Sequence, residues 1–207
     1  MGSIIDLYLF LFSTVFISLT GVMMPGPVFA VTVAKGYKDR IAGALIALGH
    51  GVIEFPLMAL IYFGFAGFFA FSETRMAIGV VGGLMLMYMG VEMFRARAKV
   101  EEEETVNPKH GSFVAGVVTT VANPYFFLWW ATIGLALIRN ADVFGIVGFP
   151  LFAVTHWLCD FLWDLFVSMS VFRSRRLWTR SVHEIVFGVC SVVLVGFGAW
   201  FILSVFI

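Results

Sequence analysis

Long apolar runs separated by short polar stretches divide the chain into six segments, each close to or above the roughly 20 residues an α-helix needs to cross a bilayer. They run from about Ile4 to Ala34, Ile41 to Phe71, Met76 to Phe94, Ser112 to Ile138, Val143 to Val171 and Val182 to Ile207. The second is longer than a span requires, which predicts a tilted helix or an interfacial tail rich in Phe. Two runs are broken from within. Gly21-Val-Met-Met-Pro25-Gly26-Pro27-Val28 interrupts the first, and Thr120-Val-Ala-Asn123-Pro124-Tyr125 the fourth. Proline removes a backbone donor, so an unbroken helix would leave the carbonyls of Gly21, Met23 and Thr120 unpaired. At membrane depth such breaks persist only where protein or a wet cavity supplies new partners, so they predict an interior site. Pro27 suits the first position of a restarted helix, and Asn123 followed by Pro124 reads as an N-cap with proline at the first helical position.

Composition agrees with the pattern. Of 207 residues, 61% are hydrophobic and 13% charged, against roughly 45–50% apolar in soluble domains, so the expectation is an all-α integral membrane protein. Eleven of the 13 Lys and Arg fall in three loops: Lys35, Lys38 and Arg40; Arg95, Arg97, Lys99 and Lys109; Arg173, Arg175, Arg176 and Arg180. Only Arg75 and Arg139 lie on the other side. Positive charge marks the cytoplasmic face, which predicts a multi-pass cell-membrane protein with both termini outside. The first segment carries Asp6 and no basic residue before a long apolar run, which favours a retained span over a cleaved leader. No basic patch points to nucleic acid, and nothing points to a cofactor. No lysine lies inside a span, which sets aside a retinal protein. Cys159 and Cys190 sit in apolar runs without CxxC spacing and read as core residues.

The spans repeat. Ala47-Leu-Gly-His50-Gly-Val-Ile-Glu54 aligns with Ala153-Val-Thr-His156-Trp-Leu-Cys-Asp160 at an offset of 106 residues, the two breaks at 99, and Met89-Gly90 with Phe197-Gly198 at 108. Residues 1–98 and 112–207 thus form two three-helix units joined by a charged linker, 99–111. An odd number of spans per unit inverts the second copy, and inverted repeats are a transporter architecture with its site near the midplane. Chance likeness among apolar segments is the competing account.

Chemistry concentrates on two faces. His50 and Glu54 are four apart, as are His156 and Asp160, and then Asp160 and Asp164, so each set shares one helix face. An acid at a helix centre costs about 2.5–3.5 kcal/mol on insertion scales, so these must face protein or water. They could be purely structural pairs, with Asp164 wet near the cytoplasmic interface, or they could bind a cation or carry protons. Pro56 would free the carbonyl of Val52 beside them. The restarted helices at Pro27 and Pro124 present N-termini that favour an anion, so a zwitterion would fit, its carboxylate on the helix ends and its ammonium on Glu54 or Asp160. Glu92 and Arg95 read as an interfacial ion pair. The six Trp residues, Trp129 and Trp130 among them, read as mostly lipid-facing or belt residues, and the Gly79, Gly82, Gly83 cluster as close packing. Glycine placement leaves a homo-oligomer open without counting subunits.

Taken together, the size, the six-span hydropathy, Pro25-Gly26-Pro27 in the first span, Asn123-Pro124 opening the second half and Ala47-Leu-Gly49 at the start of span two resemble the LysE-type amino-acid exporter family over nearly the whole chain. Asp160-Phe-Leu-Trp163 resembles that family's acidic position followed by aromatics. Where the family commonly has an acid after the glycine of span two, this chain has His50, with the acid displaced to Glu54. The resemblance implies a secondary transporter, not an enzyme, exporting an amino acid with protons as coupling ion and the lipid bilayer as surroundings. Its site residues would be Pro25, Gly26, Pro27, His50, Glu54, Asn123, Pro124, His156, Asp160 and Asp164. The residues alone reach a small cation or zwitterion. They leave two alternatives: a divalent-metal exporter in which His50, Glu54, His156 and Asp160 would be ligands, and a thiol carrier or membrane enzyme using Cys159 and Cys190.

Overall fold

The computed structural model describes residues 3–24, 26–65, 71–96 and 108–206. Pro25 and residues 97–107 of the linker region, including Arg97 and Lys99, lie outside them. The described chain is helical. In order come α1 (Ile4–Val22), α2 (Pro27–Lys38), α3 (Ala42–Tyr62), α4 (Ser72–Ala96), α5 (Pro108–Val121), α6 (Pro124–Trp129), α7 (Leu135–Asp142), α8 (Gly148–Ser174) and α9 (Arg180–Ser204). A π-helical turn, Trp130–Gly134, joins α6 to α7.

Local sequence explains the boundaries. Ser3 and Asp6 form a reciprocal capping box that opens α1: Asp6 N–H donates to Ser3 Oγ at 3.2 Å and Ser3 N–H to Asp6 Oδ2 at 2.8 Å, satisfying donors that a helix start leaves over. Pro27 takes the first position of α2 behind Gly26, and Pro124 that of α6 behind Asn123, as the sequence predicts. Two of the three carbonyls expected to be orphaned, those of Gly21 and Thr120, are rescued locally. Gly21 O accepts from Met24 N–H at 3.2 Å and Thr120 O from Asn123 N–H at 3.2 Å, each through a tightened last turn. Helix α3 runs through Pro56 and ends at Tyr62. Of the surplus length of the second run, Phe63 to Phe65 form a turn beyond the helix and residues 66–70 lie outside the described residues.

Four helices among the described residues are long and apolar enough to cross a membrane: α1, α3, α8 with its flanking turns, and α9. Gly111–Val121 and Pro124–Asp142, bent by 60°, add a fifth if the pair counts as one span. Helix α1 shows which solvent this surface meets. It exposes Ile4, Tyr8, Leu9, Phe12 and Phe16 and buries Thr14 and Ser18. Apolar side chains outward and polar ones inward is the order expected of a helix in lipid.

Helix α3 packs between α5 and α8, α2 lies against α8, and α4 lies along α9. Small residues permit the closest approaches. A Cβ on Gly43 would fall on the carbonyl oxygen of Asp164 in α8, and one on Gly49 on that of Phe113 in α5. At these contacts backbone meets backbone, the packing mode that substitutes for a hydrophobic driving force in membranes. It carries the two ionisable faces of α3 and α8 into contact.

Candidate functional site

The two His-x-x-x-acid faces meet each other. Glu54 is 1% exposed, and its Oε1 lies 3.1 Å from His50 Nε2 on its own helix and 3.3 Å from His156 Nε2 on α8. Asp160 sits beside them, 3.9 Å from His50 Nε2 through Oδ1 and 3.7 Å from His156 Nε2 through Oδ2. One turn further along α8, Asp164 is 4% exposed and accepts from Thr32 Oγ1 of α2 at 3.3 Å. The expectation that Asp164 could sit wet at the interface is thus not met: it is an interior carboxylate.

All these groups line one cavity of about 110 Å³, shared with Gly26, Pro27 and Asn123 from the two breaks. One water needs roughly 10–15 Å³, so the space suits several waters or one small solute. Pro124 itself does not line it, although its neighbours Asn123 and Tyr125 do. Two carboxylate oxygens in this wall, Glu54 Oε2 and Asp160 Oδ2, are buried without a hydrogen-bond partner among the described residues. A buried carboxylate oxygen so placed lacks the compensation that burial demands, and a donor in the cavity would supply it.

The helix starts differ in what they offer. At α6, Asn123 Oδ1 accepts from Tyr125 N–H at 3.1 Å and Asn123 O from Phe126 N–H at 3.1 Å, so these amides are already engaged. At α2 the N-cap Gly26 has no side chain to give. Val28 and Phe29, in the first turn where helix amides lack an intrahelical acceptor, border the cavity. Of the two N-termini expected to receive an anion, α2 is the one without a side-chain cap. Gly26 is extended at φ −152° and a Cβ there would meet nothing nearer than Met24 O at 3.8 Å; its lack of a side chain keeps that amide turn accessible.

Several groups in the site were not singled out from sequence. Ser18 Oγ lies 2.7 Å from His156 Nδ1, and Thr120 Oγ1 2.8 Å from His50 Nδ1. Hydroxyls are common in membrane helices and carry no spacing signal of their own. Trp129 and Trp130, expected at the lipid surface, are instead 8% and 1% exposed. Trp129 stacks on His156 at 5.1 Å and Trp130 meets its edge at 4.9 Å, while Phe126 sits edge-on to His50 at 5.2 Å. The π-helical turn beginning at Trp130 widens the helix there, and such turns gather at functional sites. Away from the site, Glu92 and Arg95 form the expected exposed ion pair at 3.0 Å. Cys159 and Cys190 are buried free thiols on separate helices.

His50, Glu54 and Asp160 each bring one ligand-type atom within 4.8 Å of the others. Yet the nearest atoms are already joined, Glu54 Oε1 to His50 Nε2 by a hydrogen bond and to His156 Nε2 by a 3.3 Å polar contact, and an ion would have to break them. As built, the cluster is a hydrogen-bonded acid–base network with two carboxylate oxygens left over.

The model of the LysE type translocator family matches residues 19–205. A threonine efflux protein of Escherichia coli K12 is 26% identical over 208 residues, covering 95% of this chain and 99% of the relative. One from Salmonella typhimurium is 22% identical over 204 residues, covering 93% and 97%. A chemotactic transduction protein, ChpE, of Pseudomonas aeruginosa is 24% identical over 181 residues, covering 83% and 87%. No solved structure matches the chain.

Proposed function

The chain belongs to the LysE type translocator family, and on that premise we propose that it exports an amino acid or a similar small zwitterion by proton-coupled alternating access. The observation that carries this is the cavity in which Glu54 and Asp160, whose Oε2 and Oδ2 have no hydrogen-bond partner among the described residues, share walls with the start of α2, which has no side-chain cap. A zwitterion has a matching pair of groups: an ammonium for the carboxylates, and a carboxylate for the amides of Val28 and Phe29. Asn123 adds a donor, since its Oδ1 is engaged by Tyr125 and its amide NH₂ is left over. The threonine efflux relatives make threonine the first substrate to try.

The same proposal takes the fold as six spans in two inverted repeats, residues 1–98 and 112–207, with both termini outside. The histidine anchors support it, because they cross over: His50 of the first unit is held by Thr120 of the second, and His156 of the second by Ser18 of the first. In that orientation the tight side is cytoplasmic. There Gly36 of α2 packs on the backbone of Ser168, Ser168 Oγ donates to Arg40 O at 3.0 Å, and Arg175 donates to Tyr37 O at 2.8 Å.

The test is efflux of preloaded radiolabelled threonine from proteoliposomes, with and without an imposed proton gradient and in the presence of a chelator, for wild type and Asp160→Asn. Gradient-stimulated, chelator-insensitive efflux that Asp160→Asn reduces at least about tenfold, the weight of one 1.4 kcal/mol interaction, is expected. Transport of a divalent cation with no amino acid moving would overturn the proposal.

A further inference from the structure

The two histidines look alike in sequence, but their hydrogen bonds set them apart. Thr120 Oγ1 lies 2.7 Å from Gly116 O, the carbonyl one turn back on its own helix. Two oxygens that close must share a hydrogen, and only the threonine hydroxyl has one. That hydrogen is therefore committed to Gly116. The 2.8 Å contact between His50 Nδ1 and Thr120 Oγ1 must then take its hydrogen from Nδ1, so Thr120 fixes His50 as a ring protonated at Nδ1.

The consequence falls on the other nitrogen. If His50 carried only the Nδ1 proton and Glu54 were ionised, a nitrogen lone pair would face a carboxylate oxygen at 3.1 Å. The contact is bonding only with one further proton between them, on Nε2 or on Oε1. His156 needs no such proton. Ser18 Oγ, 2.7 Å from His156 Nδ1, can donate its hydroxyl hydrogen there, and a neutral ring then donates from Nε2 to Glu54 Oε1 at 3.3 Å.

We infer that Thr120 is a positioning residue that makes His50 and Glu54 the proton-carrying pair of this protein, with His156 a neutral donor to the same carboxylate. Losing the shared proton turns the His50–Glu54 contact repulsive, so His50 withdraws and Glu54 becomes a bare carboxylate facing the cavity. Proton and substrate ammonium then compete for one group, which is the exclusion an exchange mechanism needs. Other polar and titratable groups lining the cavity with the pair are Asp160, Asp164 and His156 from α8, Ser18 from α1, and Asn123 and Tyr125 at the start of α6, while Thr32 of α2 donates to Asp164. No Lys or Arg lines the cavity among the described residues.

The coupling part rests on the exporter proposal; the assignment of the proton does not, and the experiment separates them. Nitrogen-15 NMR of histidine-labelled protein in lipid bilayers, with peaks assigned by His50→Gln and His156→Gln, is recorded across neutral pH. His50 should show a protonated Nδ1 throughout and His156 a neutral ring protonated at Nε2. Thr120→Val should shift the His50 Nδ1 signal and Thr120→Ser should restore it. A His50 ring that is neutral and protonated only at Nε2 overturns the inference whether or not threonine is transported. In threonine efflux, Thr120→Val should flatten the pH profile while keeping threonine–threonine exchange, with Thr120→Ser like wild type. His156→Gln, which disturbs the same carboxylate, should lower efflux while leaving its pH profile unflattened, because its amide can still donate to Glu54. Equal loss of gradient stimulation in His156→Gln and His50→Gln would overturn it too.

Discussion

Glu54 does two jobs that substitution can pull apart. Its Oε1 lies within 3.3 Å of two buried imidazoles, and its Oε2 is buried without a hydrogen-bond partner among the described residues in the wall of the cavity. Glu54→Gln keeps an oxygen that can accept from His156 and adds an amide N–H that can donate to the Nε2 lone pair of a neutral His50, so both histidines can stay paired while the charge is lost. Thermal unfolding in detergent should then change little and efflux should fall to background. Glu54→Leu leaves the buried His156 Nε2–H without an acceptor and His50 Nε2 without a donor, at about 1–3 kcal/mol for each, and should lower the unfolding temperature clearly. If Glu54→Gln unfolds as early as Glu54→Leu, the carboxylate serves structure rather than transport. Gly26→Ala poses the converse question. Its Cβ meets no neighbour closer than 3.8 Å, so folding should be unaffected, and any loss of efflux reports crowding of the amide turn at Val28 and Phe29.

Between elements, the contact of α3 with α8 decides whether the site exists. Gly43 lies against the backbone of Asp164, and Trp157 Nε1 donates to Ala47 O at 3.0 Å just above. Gly43→Ala must push the helices apart, since the obstacle is backbone and cannot rotate away. Overpacking of this kind costs typically 1–3 kcal/mol, and the separation would stretch the His50, His156 and Asp160 contacts with Glu54 together. Gly196 in α9 has nothing within 4 Å of where a Cβ would stand. Gly196→Ala should therefore be neutral or mildly stabilising, as helix propensity favours Ala over Gly by about 1 kcal/mol. Comparing the two by detergent unfolding and efflux checks whether close approach, rather than glycine as such, is required. At this scale the sequence is only partly legible. The Pro27 and Pro124 helix starts, the Asn123 cap and both His-x-x-x-acid faces can be placed from spacing, because capping and the 3.6-residue period are local. Which helix each face meets is not local, so the shared Glu54 oxygen, the Ser18 and Thr120 anchors and the glycine contacts stay hidden. The roof of Trp129 and Trp130 is hidden for a further reason: a tryptophan in an apolar run suits lipid and interior equally, and here a π-helical turn turns both inward.

For the whole molecule, the polar interior joins helices from both halves of the chain, and alternating access has to change how those halves meet. On one side they are held by backbone-close packing and by Arg175, which bonds Tyr37 O at the end of α2 and lies over Phe172 at 3.6 Å. A cation at a helix C-terminus meets its unpaired carbonyls and negative end, so Arg175 clamps α2 to the end of α8. If that side is the cytoplasmic gate, Arg175→Ala should favour the inward-open form, raising labelling of a cysteine placed in the cavity by a reagent applied from the cytoplasmic side. The argument needs the orientation, and the orientation can be measured on the same protein. The natural thiols Cys159 and Cys190 are buried, so exposed single cysteines can be read above a low background. In intact cells a membrane-impermeant maleimide should label Ser3→Cys, and should reach Leu177→Cys, at an 84% exposed position, only after the membrane is opened. The reverse pattern would place the eleven-residue Lys and Arg majority outside, against the positive-inside rule. It would also turn the Arg175 clamp into an outer gate, so that Arg175→Ala would then increase labelling from outside instead.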